Sequence, residues 1–131
     1  MQNSEIIATK VHGWVKDVYR IDYATLPDNH FYVRDPAKSP VIAKVDGKVI
    51  LFDPENNDTQ AIAALEAWLA KDLQIRDYEM TGAGAEGHCV TLTIESKVKN
   101  VRYWDIVGES INKSLSAAIV EALCSAVGEV K

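Results

Sequence analysis

The sequence predicts an α+β fold, a single domain over residues 1–131 in which a largely antiparallel sheet of about five strands is covered by three helices in the order α-β-β-α-β-β-β-α. Three observations predict it. Asp58–Leu73, DTQAIAALEAWLAKDL, repeats apolar side chains at helical spacing. Asp46-Gly47 stands between the arms VIAKV and KVILF, the signature of a two-residue hairpin. After Leu73 the apolar period changes to two over three segments joined by short links, which favours an antiparallel meander.

At the start of the chain, Ser4 can cap a helix over roughly Glu5–His12, with Ile7, Val11 and Trp14 on one stripe and Gly13 as its C′ residue. So narrow a stripe places the helix on the outside of the domain, with Trp14 as a packing anchor. Between Val15 and Pro40 the pattern is weakest. Val18–Tyr23 alternates as a strand does, Leu26-Pro27-Asp28-Asn29 reads as a turn, Phe31-Tyr32-Val33 could pair at a sheet edge, and Pro36 and Pro40 bracket a loop. The hairpin Val41–Phe52 sets Val45 opposite Lys48 and Lys44 opposite Val49, and Pro54 closes its second strand.

Asn57 or Asp58 can cap the helix that follows, with Gln60 three after Asn57 as in a capping box. Stepping about 100° per residue from Ile62 puts Leu65, Trp68, Leu69 and Leu73 on one arc. Ala61, Ala63, Ala64, Ala67 and Ala70 fill most of the remaining circumference, so the helix is expected to be covered on more than one side and to organise the core. Ile62, Leu65 and Leu69 should face the sheet, and Ala61, Ala64 and Trp68 should border the closing helix.

The strands after it are Ile75–Met80, Cys89–Glu95 and Val101–Val107, with Lys97–Asn100 as the last turn. In Val101–Val107, Arg102, Trp104 and Ile106 lie on one side and Val101, Tyr103 and Val107 on the other. A strand apolar on both faces belongs to a sheet covered twice or to a homodimer contact. The closing helix spans about Ser114–Val127, with Leu115, Ala118, Ile119, Ala122, Leu123 and Ala126 as its apolar face; Ser110, Asn112 and Ser114 all qualify as its cap.

Composition bounds the function classes. A net charge of −5 lacks the cationic footprint that nucleic-acid or anionic-membrane binding needs, while leaving open an acidic surface that competes for a basic partner. Cys89 and Cys124 are too few for a disulfide framework and read as two buried, reduced thiols. No apolar run approaches ~18 residues, and MQNSEIIATK has no signal-peptide core, so a soluble cytoplasmic protein is expected.

Candidate chemistry is sparse. Gly82-Ala83-Gly84-Ala85-Glu86-Gly87 matches G-x-G-x-x-G, but the run His88–Ile94 that follows is a strand by composition and period. A pyrophosphate site requires a helix N-terminus there, so Gly82, Gly84 and Gly87 read as a hairpin loop. His88 and Cys89 suggest a metal pair, yet adjacent strand residues point to opposite faces and no second ligand cluster exists. Asp53, Glu55 and Asp58 resemble a calcium loop but lack the required glycine and terminal glutamate, where Asp58 and Ala64 stand. No nucleophile motif is present; catalytic, cofactor and metal residues are all expected to be none.

Three segments, IATKVHGW, NNDTQAIAALEAWLAK and SAAIVEALCSAV, around a β-rich middle, together resemble the phage ABA sandwich domain proteins, small proteins of bacteriophages and prophages. The resemblance spans nearly the whole chain and rests on packing motifs; Val15–Phe52 departs from it by carrying a well-formed hairpin. It implies an α/β sandwich made in the bacterial cytoplasm, and it carries over no catalytic residue. The function expected is that of an accessory protein binding a host or phage macromolecule, with inhibition of host defence as one form, not of an enzyme. The alternative is a small-molecule or nucleotide binder, with the glycine loop and Tyr78, Tyr103 and Trp104 near a pocket. Gly82, Gly84, Gly87, Tyr103, Trp104, Asp53 and Glu55 are the candidate surface.

Overall fold

The computed structural model of the protein describes residues 2–17, 23–33, 41–71, 75–82 and 84–128. In chain order the elements are helix α1 (Asn3–Ile6), which continues as a π-helical turn (Ile7–Val11), β1 (Val15–Lys16), β2 (His30–Tyr32), β3 (Val41–Val45), β4 (Lys48–Phe52), α2 (Asp58–Leu69), β5 (Arg76–Gly82), β6 (His88–Val98), β7 (Val101–Asn112) and α3 (Leu115–Ala126). The fold is α+β, with three helices among the described residues. The expected strand Val18–Tyr23 lies outside the described residues except for Tyr23, which opens a 3-10 turn, and the Pro36–Pro40 loop and Leu73 lie outside them altogether.

The strands form two sheets, β1-β2-β3-β4 and β5-β6-β7, instead of one sheet of five. The hairpin has its expected register, Val45↔Lys48 and Lys44↔Val49, with Asp46 and Gly47 both at positive φ. The end of its second strand is tied to the helix that follows. Gln60 Nε2 donates to Leu51 O (2.8 Å) and Gln60 Oε1 accepts from Asp53 N (2.7 Å), so the side chain expected to complete a capping box instead holds the end of β4. Asn57 alone caps α2, accepting from Gln60 N at 3.0 Å. β2 is not an edge: it pairs in parallel with β1 and antiparallel with β3, and Phe31 at its centre is fully buried.

The N-terminal helix is also more central than its narrow stripe suggests. Ile6, Ile7, Ala8 and Val11 are buried, as is Glu5, whose Oε2 lies 3.4 Å from Lys16 Nζ on β1. Gln2 occupies the N-cap position and Ser4 is buried inside the helix. Residues 4–8 are buried in succession, about a full helical turn, so neighbouring elements enclose this segment all round instead of along one stripe. Trp14 is a packing anchor: its ring stacks on His12 at 4.5 Å and meets Phe52 edge-on at 4.9 Å.

The helix on which everything else rests is α3, not α2. Ser116, Ala118, Ile119, Val120, Ala122, Leu123 and Cys124 are all buried, so α3 is covered nearly all round, by β6, β7, α1, α2 and the Pro54–Asn56 turn. By contrast α2 buries one stripe, Ala61, Ala64, Leu65 and Trp68, against α3 and the π-helical turn. Ile62, expected to face a sheet, is 40% exposed, and Leu69 is half-buried. The small residues of α3 serve a close approach to β7: a Cβ on Gly108 would stand 2.2 Å from Ala122 O and 3.1 Å from Ala126 N. Ser114 is the cap, accepting from Ala117 N (3.3 Å). One apolar cluster joins residues of both sheets and all three helices.

Candidate functional site

In β5-β6-β7 the even residues of β6, Val90 and Leu92, are fully buried beneath α3. Odd residues therefore form the opposite face, because successive strand side chains alternate. Registers run Thr81–Cys89–Ile111, Glu79–Thr91–Glu109, Asp77–Thr93–Ile106 and, continued by Glu95 N donating to Ile75 O (2.9 Å), Ile75–Glu95–Trp104. No helix covers these rows among the described residues: Ile75, Trp104, Ile106 and Ile111 are 55%, 52%, 61% and 49% exposed. A β-bulge puts Trp104 and Ile106 there. Leu92 pairs with Gly108 but Thr93 pairs with Ile106, so Val107 is the extra residue and the alternation of β7 shifts by one. Without it, Ile106 and Trp104 would share the face of Gly108 and point toward the helix side.

Glu95 lies opposite Trp104, and its side chain retains 9% of its exposure although no helix covers this face among the described residues. Arg102, itself 67% exposed, folds across it with Nε 3.2 Å from Glu95 Oε1. The face thus carries a carboxylate sunk between large apolar groups at one end, and exposed Asp77, Glu79 and Glu109 along its middle.

Of the residues singled out from sequence, Trp104 belongs to this face; Tyr103 points to the helix side of the same sheet, beside Ser96, whose hydroxyl donates to Asp105 (2.6 Å). The glycines lie elsewhere. Gly82 pairs with His88, seven residues of register from Glu95 and Trp104, about 23 Å along the strands. Tyr103, Trp104 and the glycine loop therefore do not share a pocket. Gly84–Glu86 is a 3-10 turn leading into β6, so no helix N-terminus awaits a phosphate. Beside it is an open depression of about 440 Å3 lined by Glu86, Ile111, Asn112 and Lys113.

Asp53 and Glu55 belong to the turn before α2. Asn56 Nδ2 donates to Asp53 Oδ2 (3.0 Å), and Ser116 Oγ donates to Glu55 O (2.7 Å), which ties this turn to α3. Burial, then the charges of Asp53 and Glu121, raise the Glu55 pKa, against a hydrogen bond from Asn3. A raised carboxyl pKa contributes stability below the unfolded value that is lost as pH rises through the folded one. Glu55→Gln is accordingly expected to raise the melting temperature near pH 7 and to leave it unchanged near pH 3, as thermal denaturation at the two values will show.

His12 is another titrating structural group. Burial, then Lys71, lowers its pKa from 6.5, so the folded protein resists the proton that the unfolded chain accepts. Its contribution is intact above about pH 6.5 and declines as pH falls through that value. Urea titrations at about pH 8 and pH 5 should show a smaller loss of stability for His12→Phe, which keeps the stack on Trp14, than for the wild type.

Among the described residues no group of three or more His, Cys, Asp and Glu side chains is placed to hold a metal ion. Cys124 is buried, but Cys89 is only half-buried, on the open face, which corrects the expectation of two buried thiols. No helix among the described residues is long and apolar enough to cross a membrane.

Comparison with family models, curated proteins and solved structures finds no match.

The open face thus stands on its own geometry. Sequence reasoning named Trp104 but passed over Ile75, Glu95 and Ile111; the signal available was the outward period of Arg102, Trp104 and Ile106, three bulky side chains on one side of a strand.

Proposed function

We propose that the protein is a small accessory binding protein that docks a host or phage protein on the open face of β5-β6-β7, in the bacterial cytoplasm, with inhibition of host defence as one form of its action. The observation that carries this is the outward pair Trp104 and Ile106, both more than half exposed. Apolar surface left uncovered in a contiguous patch marks interaction sites, and tryptophan is enriched among the residues that dominate binding energy. The phage setting rests on the resemblance of the three helical segments to phage ABA sandwich proteins, and binding in place of catalysis rests on the character of this face.

The test is affinity capture from a bacterial host lysate with the wild type and with Trp104→Asp/Ile106→Asp, a pair whose exposed positions should leave the circular dichroism spectrum unchanged. A protein retained by the first and lost by the second is expected. Equal retention by both would count against the face.

A small-molecule reading has one observation in its favour, the depression beside Glu86 and Lys113. A thermal-shift panel of nucleotides and cyclic nucleotides separates the two readings, since a ligand at one hundred times its Kd adds about 2.7 kcal/mol. A flat panel is expected.

A further inference from the structure

The charge pattern of the open face selects its occupant. Asp77, Glu79, Glu95 and Glu109 point outward there, against Lys97 and Arg102 at one end, and Arg102 already lies against Glu95. Asp77, Glu79 and Glu109 are exposed on the edge strands. Apolar groups bracket them: Ile75, Trp104 and Ile106 on one side, Ile111 on the other.

We propose that this face takes a basic segment of another protein, one in which lysine or arginine residues are flanked by apolar ones. The inference rests on the docking reading above and adds the chemistry of the partner. Cations set over Asp77, Glu79 and Glu109 would neutralise exposed carboxylates, of which Asp77 also accepts from Tyr78 N (2.8 Å), while apolar neighbours cover Trp104 and Ile106. Rows two residues apart are about 6.8 Å apart along the strands, the same period as alternate side chains of an extended peptide. The indole of Trp104 adds a ring face on which an arginine can rest.

Two other occupants fit poorly. A second copy stacked face to face would set carboxylates against carboxylates. Nucleic acid would meet the same carboxylates with phosphates.

The experiment uses the full chain, labelled with 15N, and three probes: a short peptide alternating lysine and leucine, its counterpart with glutamate in place of lysine, and a duplex DNA oligonucleotide. Asp77→Asn/Glu79→Gln/Glu109→Gln removes charge at exposed positions with little change of shape, and Trp104→Ser removes the ring. The basic peptide should bind, shift the amide signals of β5 to β7, weaken roughly tenfold in either variant, and weaken again as salt rises; the other two probes should not bind. Binding of the acidic peptide or DNA at this face, or a triple variant that binds the basic peptide as the wild type does, would overturn the inference. If Trp104→Ser alone weakens the peptide, the face docks a partner without selecting for charge, and only the inference fails. If neither variant matters and lysate capture is also independent of Trp104, the docking reading fails with it. Light scattering showing a dimer that Trp104→Ser dissociates would assign the face to a second copy and overturn the inference.

Discussion

Gly108→Ala is expected to destabilise the protein by about 3 kcal/mol, a fall in melting temperature of roughly 10 °C, readable by circular dichroism. The direction is opposite to the usual one, because alanine for glycine inside a strand ordinarily stabilises by reducing the freedom of the unfolded chain, by about 0.5–1 kcal/mol. Here the added methyl group would stand 2.2 Å from the carbonyl oxygen of Ala122 and 3.1 Å from Ala126 N, both backbone atoms of α3. No rotamer change relieves such a contact; the helix must lift from the sheet. Lifting α3 loosens Leu92, Ile119 and Leu123, all fully buried, so the cost spreads through the core. A variant as stable as the wild type would mean that α3 does not lie this close to β7.

Gly87→Ala is expected to cost a comparable amount, about 3 kcal/mol, while Gly82→Ala should stay within about 0.5 kcal/mol of the wild type. The two glycines belong to one G-x-G-x-x-G match but occupy different environments. Gly87 has φ +101°, and its Cβ would meet Asn112 O and Lys113 Cα at 2.5 Å each; Gly82 has open space and no positive φ. If the match held a pyrophosphate, all its glycines would answer to ligand binding. In this fold Gly87 answers to the passage of the chain from β7 into α3. Urea unfolding of the two variants without any ligand separates the explanations, and equal stability of both would leave the glycine pattern without a packing cause.

The parts of the fold legible in the sequence are those governed by local rules. The hairpin register followed from Asp46-Gly47, because this pair adopts the two positive φ values of a type I′ turn, whose twist matches that of the strands. The meander β5-β6-β7 and the closing helix followed from period, although the strands run further than expected, to Gly82, Val98 and Asn112, with the last turn confined to Lys99-Asn100. Burial of α1 was not legible, since its enclosure comes from α3 and the Pro54–Asn56 turn, elements distant in the chain that a narrow apolar stripe does not record. Nor was the division into two sheets, or the contact of the Gln60 side chain with Leu51 O at the end of β4. That contact spans nine residues and two elements, beyond any pattern of spacing.

By itself the sequence determined that this is an α+β chain with a tight hairpin, an antiparallel meander and an acidic balance, because turn chemistry, apolar period and charge are properties of neighbouring residues. Only the tertiary structure decided which way Trp104 and Ile106 point. Alternation along β7 is the same on paper whichever face is buried, and the bulge at Val107 shows only in the pairing of β7 with β6, next to Gly108 under α3. One residue of register turns that pair from the helix side to the open face, where the carboxylates Asp77, Glu79 and Glu109 also lie.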